Sequence, residues 1–137
     1  MLKYHLAGAM VLAVAPVQAA DKPALAGRWI NEDGRAVVEF APCGGAMCGH
    51  IQRFLIAEPA GGARDAKNPD RSKRGQRLLG SRVFWGLTRE GASWAGQGYM
   101  PEQGRNFRAQ LTPDGSRLKM KGCVSVFCKT VTWTRTN

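Results

Sequence analysis

Apolar and polar side chains alternate with a period of two along most of this chain, and that alternation predicts a succession of short strands. The clearest pair comes late. Phe107, Ala109 and Leu111 alternate with Arg108 and Gln110; after the turn signal Pro113-Asp114-Gly115, Leu118 and Met120 alternate with Lys119 and Lys121. The stretch from Thr130 to Arg135 sets Val131 and Trp133 on one face and threonines on the other. Nearer the start, Gly27-Arg28-Trp29-Ile30 runs into Asn31-Glu32-Asp33-Gly34, whose Asp-Gly is a strong hairpin signal. Beyond it, Ala36, Val38 and Phe40 share one face, and Val37 and Glu39 the other. Residues 49–56 are apolar on both faces, so their pattern leaves the register open. Residues 78–88 carry Val83, Trp85 and Leu87 at period two, and residues 92–100 set Trp94 and Tyr99 among glycines. No segment holds a helical period over a convincing length.

About eight antiparallel strands at short spacing predict an all-β, up-and-down barrel, which removes its open edges by closing on itself; a β-sandwich is the alternative. Closure brings the first strand beside the last. Trp29 and Arg135 then meet, with the guanidinium laid over the indole as the barrel closure. The inward positions include Val38, Phe40, Trp85, Phe107, Leu111, Met120 and Trp133. Phe40, Trp85, Phe107, Met120 and Trp133 are the candidate lining of a site for a small apolar ligand. The competing expectation is a barrel filled by its own bulky side chains.

The chain has 137 residues, and the N-terminus changes the picture of where it works. Lys3 and His5 precede a small-residue and apolar run from Leu6 to Ala15, then Pro16 and Val17-Gln18-Ala19. This is the layout of a cleavable signal peptide, residues 1–19, with residues 20–137 as a single domain. The run is shorter than the about 20 residues a membrane span needs, so no span is expected. The predicted location is the periplasm or the exterior.

The net charge is +10, nearly all of it in the expected mature domain. That favours anionic partners. Export makes nucleic acid an unsuitable one and points to acidic envelope components. Four cysteines fit an oxidising compartment. Cys43 and Cys48 flank four residues, as do Cys123 and Cys128, and each pair sits where one strand ends and another begins. Local bridges Cys43–Cys48 and Cys123–Cys128 are the expected pairing, with crossed pairing the alternative. The spacing suits structural staples better than zinc ligation or redox chemistry.

Catalytic signals are thin. His50 is the one histidine outside the leader, and no nucleophile elbow or phosphate loop occurs. No catalytic residue, metal or cofactor is expected. Asp65, Asn68 and Asp70 crowd polar oxygens into six positions, which suits a hard cation or, more simply, a staple of Asx turns around Pro69. They lie in a long stretch, residues 57–76, that reads as a structureless and mobile loop. Its continuation is basic: Arg71, Lys73, Arg74 and Arg77 form a candidate anion-binding cluster.

The motifs also occur in a telling order: Gly27-x-Trp29, Cys43-Gly44, Cys48-Gly49-x-Ile51, Asp65-x-x-Asn68-Pro69-Asp70, Leu79-Gly80, Trp94-x-Gly96-x-Gly98-Tyr99-x-Pro101-x-x-Gly104, Leu118-x-x-x-Gly122 and Thr132-Trp133-x-Arg135. In this order they resemble the bacterial exported family catalogued as domain of unknown function 2147. The Gly-x-Trp start and late Arg also look like the lipocalin superfamily. The resemblance implies a lipocalin-like barrel and brings no established activity. It places Asp and Tyr where this chain has Met100 and Phe107. Two functions follow as expectations: a binding or accessory protein holding a small apolar molecule in the barrel, or a filled barrel whose basic loop binds envelope polyanions or lipid headgroups.

Overall fold

The computed structural model describes residues 8–14 and 24–137. The expected cleavage point after Ala19 lies outside the described residues. Residues 8–14 carry no regular structure and leave Met10, Val11, Leu12 and Val14 exposed. Among the described residues no helix is long and apolar enough to cross a membrane.

Eight strands form one closed antiparallel barrel in sequence order. They are β1 (Gly27–Ile30), β2 (Ala36–Cys43), β3 (Ala46–Phe54), β4 (Arg82–Glu90), β5 (Ser93–Met100), β6 (Arg105–Asp114), β7 (Arg117–Val124) and β8 (Phe127–Thr136). Every neighbour is also a neighbour in sequence except at the seam, where β1 pairs with β8 and Trp29 stands opposite Arg135. The up-and-down barrel is the architecture that the alternating pattern predicts.

At the seam the Arg135 guanidinium lies 4.1 Å from the centroid of the Trp29 ring. Its Nη1 and Nη2 donate to the carbonyls of Ala26 and Ala24 at 3.0 and 2.6 Å, and the Trp29 indole donates to Leu25 at 3.0 Å. One end of the barrel is thereby sealed by the chain entering β1. Trp29, Leu87, Leu111 and Leu118 fill the interior towards this base without any exposure.

The pattern misleads in β4. Period two puts Trp85 inside with Val83 and Leu87, but Phe84 opposes Gly98 and is buried, whereas Trp85 opposes Gln97 on the outer face. A register break between Trp85 and Thr88, with Gly86 at φ 63°, restores Leu87 to the interior. Gly96 faces this bulge, and a Cβ there would lie 2.7 Å from the Trp85 carbonyl oxygen. Outside, Trp85 carries the Arg82 guanidinium 5.2 Å from its centroid.

Cys43 is bonded to Cys48 and Cys123 to Cys128. The bridges sit at opposite ends of the barrel, the first at the base hairpin β2–β3 and the second at the open-end hairpin β7–β8. They differ in register. Cys123 and Cys128 are directly opposed, whereas Cys43 opposes Ala46 and Cys48 opposes Ala41, so the first bridge runs diagonally.

Candidate functional site

The open end is shaped by side chains that stop short of filling it. A layer of aromatic rings closes the floor: Phe40 and Phe84 lie 5.2 Å apart, Phe84 and Trp133 5.7 Å, and Phe84 and Phe107 5.9 Å. The Phe107 ring is admitted by glycines on both flanking strands. A Cβ at Gly98 would collide with it, and one at Gly122 would come within 3.0 Å. Above the rings lies a cavity of about 310 Å³, lined by Val38, Ile51, Val83, Phe84, Phe107, Met120 and Trp133 among others. A second lobe of about 270 Å³ extends towards β7–β8 and is lined by Val131, Gly122 and Val124. Glu32, Met100, Phe107 and Met120 border both lobes.

Of the candidate lining residues, Phe107, Met120 and Trp133 reach the cavity. Phe40 is buried beneath it as part of the floor, and Leu111 is buried towards the base. Trp85 is outside because Val83 and Phe84 are buried in succession, where the β3–β4 register shifts, and alternation resumes from Phe84. Phe84 takes its place, a residue that strict alternation assigns to the wrong face. Met100 and Phe107, where the family resemblance places Asp and Tyr, both border the cavity, so the sulfur and the unadorned ring make it more apolar than a carboxylate and a phenol would.

The mouth carries the polar groups. Glu32, in the β1–β2 turn, accepts a hydrogen bond from the Trp133 indole at 2.7 Å, which turns the carboxylate over the cavity. The β3–β4 connection, residues 55–81, folds across the same end and contributes Arg64, Ala66, Lys67 and Leu78 to the lining. It is neither structureless nor loose: Arg64 pairs with Arg77 in an isolated bridge, and a one-turn helix, η1 (Arg71–Lys73), follows Asp70.

Asp65 pins this flap. It is 7% exposed, and its two oxygens accept from the Tyr99 hydroxyl at 2.6 Å and the Asn68 amide at 2.8 Å. Burial, aided by the Asp65 hydrogen bond, pushes the Tyr99 hydroxyl up to about 12. Asp70 is engaged separately: the Ser72 hydroxyl, then the Ser72 amide, hold its carboxyl below the usual carboxylate range. The three residues therefore act as a loop staple, with no shared face of free oxygens for a cation. Lys67 adds a tie from its ammonium to the Glu102 carbonyl at 2.8 Å.

Arg71, Lys73, Arg74 and Arg77 are exposed on the outer side of the flap. Two of them hold it together. Arg74 Nε donates to the Asn68 carbonyl at 2.8 Å, and the Arg77 guanidinium packs over Gly62, where a Cβ would lie 2.9 Å from Nη2. His50 stands exposed on the outer face of β3, remote from the cavity. Glu32 and the Tyr99–Asp65 pair went unforeseen: Asn31-Glu32-Asp33-Gly34 signals only a turn, and the other two are 34 positions apart.

No curated protein matches the chain. Among solved structures it is similar to a protein described as "Protein HP1028 from the human pathogen Helicobacter pylori belongs to the lipocalin family", at 18% identity and a TM-score of 0.73 over 82% of this chain and 83% of that one. That likeness establishes a lipocalin-like fold. The sequence profile of one family also matches, over residues 27–135 and so over almost the whole barrel: the chain belongs to the bacterial family described as "Uncharacterized protein conserved in bacteria (DUF2147)".

Proposed function

We propose that this protein is an exported, non-catalytic binding protein that holds a small apolar molecule or acyl chain in the open half of its barrel. The observation that carries the reading is the apolar cavity of about 310 Å³ above the Phe40–Phe84–Trp133 floor, with the second lobe beside it. Its size falls at the lower end of the about 300–1,000 Å³ of ordinary ligand pockets. Each methylene buried there contributes about 0.8 kcal/mol, so a short chain spanning both lobes gains useful affinity without any charged contact. Binding rather than catalysis is supported by the polar groups at the mouth, which engage one another: Glu32 with Trp133, and Asp65 with Tyr99 and Asn68. Export is supported by the leader-like N-terminus and by two disulfides, which persist in oxidising compartments.

Native mass spectrometry of protein purified from its own host tests this directly, with an adduct above the mass of the chain as the expected result. Uptake of N-phenyl-1-naphthylamine by the delipidated protein is the second readout, and Met120→Trp, which fills the space shared by the lobes, should abolish it at unchanged fold. A protein that carries no adduct and takes up no dye has no such function.

A second reading rests on Arg71, Lys73, Arg74 and Arg77, whose exposure on an ordered flap suits an envelope polyanion. It requires retention on a heparin column that falls steeply with salt and that changing these four residues to Gln removes.

A further inference from the structure

The β7–β8 hairpin turns on two residues, Ser125 and Val126, at the open end. Val126 is 84% exposed and Phe127 79%, the largest exposures of any big apolar side chain in the barrel; Val124 adds 37%. Single exposed apolar residues are ordinary, but three within four positions at the tip of one hairpin are not. The tip is also held in shape. The Cys123–Cys128 bridge lies immediately behind the Val124–Phe127 pair. Ser125 adopts φ 55°, a conformation usually left to glycine, and its carbonyl accepts from Arg108 Nη2 at 2.6 Å. The apolar side chains are thus presented by a braced turn, so little ordering remains to be done on contact.

Charge says what the tip contacts. From Gln103 to Asn137 the chain holds seven cations and one acid, Asp114, which lies at the opposite, base end of β6. Arg105, Arg108, Lys121 and Lys129 surround the tip and are exposed, and the acid that borders the neighbouring lobe, Glu32, is bound to the Trp133 indole. An apolar point inside a basic collar matches the boundary of an anionic bilayer, where phosphates meet acyl chains. A folded protein partner needs about 800 Å² of shaped surface per side, far more than one hairpin turn offers.

We propose that the β7–β8 tip docks the barrel onto anionic lipid surfaces, with Val126 and Phe127 entering the interface and the four cations resting on phosphates. Val124 and Phe127 also line the second cavity lobe, so docking sets the open end of the barrel against the lipid. The inference does not depend on what the cavity holds, and its residues are separate from the flap cluster at Arg71–Arg77.

The test is flotation of the mature protein with vesicles of phosphatidylglycerol and phosphatidylethanolamine, and with phosphatidylcholine vesicles as the neutral arm. Val126→Ser with Phe127→Ser should weaken partitioning by about tenfold or more, with melting unchanged because both side chains are already exposed. In Phe127→Trp, the added fluorescence should be quenched by lipids with brominated acyl chains. The flap variant, with Arg71, Lys73, Arg74 and Arg77 changed to Gln, should still float. The proposal is overturned if the protein does not float, if it floats equally with neutral vesicles, or if the double serine variant behaves as the parent.

Discussion

Tyr99 on β5 donates its hydroxyl to Asp65 on the flap at 2.6 Å, and this bond joins the barrel wall to the segment that covers its mouth. The hydroxyl is held up to about 12 from an ordinary value of 10.0, chiefly by burial. A pKa raised in the folded state stabilises the protonated form, so the contribution is complete below pH 10.0 and is lost as pH rises through about 12. The chain has two tyrosines, and the other, Tyr4, falls in the expected leader, so absorbance titration of the mature protein reads Tyr99 alone. The expected midpoint lies well above that of free tyrosine. Asp65→Asn should bring it down, and Tyr99→Phe should lessen the loss of stability between pH 10.0 and 12.

The seam makes a second prediction. Trp29→Ala removes a fully buried indole beneath Arg135 and should cost about 3–5 kcal/mol in chemical denaturation. Arg135→Lys keeps the charge but loses the planar stack and the fork onto Ala24 and Ala26, and should cost less. An unchanged midpoint in Trp29→Ala would show that β1 is not part of the cooperative core.

Non-reducing peptide mapping should recover Cys43 joined to Cys48 and Cys123 joined to Cys128. Each bridge closes a very short loop, so replacing either pair by Ser should cost about 2 kcal/mol and leave the protein folded. Loss of the Cys123–Cys128 bridge should speed amide exchange at the β7–β8 tip, whereas loss of the base bridge should leave that tip alone.

Crowding the Phe107 ring tests how the cavity floor is made. Gly98→Ala sets a Cβ against that ring and should destabilise the fold by about 1–3 kcal/mol, as overpacking does. Gly98→Ala combined with Phe107→Leu should recover much of the loss, because the clash is with the ring alone.

Much of this architecture was legible from residue types. The alternation in β6, β7 and β8 survives because those strands are paired without a register break, so period two reports the interior faithfully. The matched cysteine spacings were legible because each pair flanks a tight turn between consecutive strands, and the Trp29–Arg135 contact because closure makes the first and last strands neighbours. Trp85 was not, because the β3–β4 register shifts between Gly49 and His50, so that Val83 and Phe84 are both buried and Trp85 turns outward, and nothing in the local pattern announces it. In β2 and β3 a break between Val37 and Val38 hid the register in the same way. The flap defeats local reading altogether. Its order depends on Asp65 meeting Tyr99, and the Glu32 carboxylate at the cavity mouth owes its orientation to Trp133, 101 positions away. Val126 and Phe127 stand ahead of the Thr130–Arg135 alternation, and nothing in the local pattern marks them as exposed.

The β1–β8 seam also has a consequence for how the chain is made. Every other strand pairing joins neighbours in sequence and can form as they emerge, but Arg135 reaches back to Ala26 across 109 positions. Until β8 has been synthesised, β1 has no second partner, Trp29 has no cover, and the growing sheet keeps a raw edge at each side. A barrel of this kind completes itself in one late step, when the arrival of β8 covers Trp29 and joins both raw edges at once.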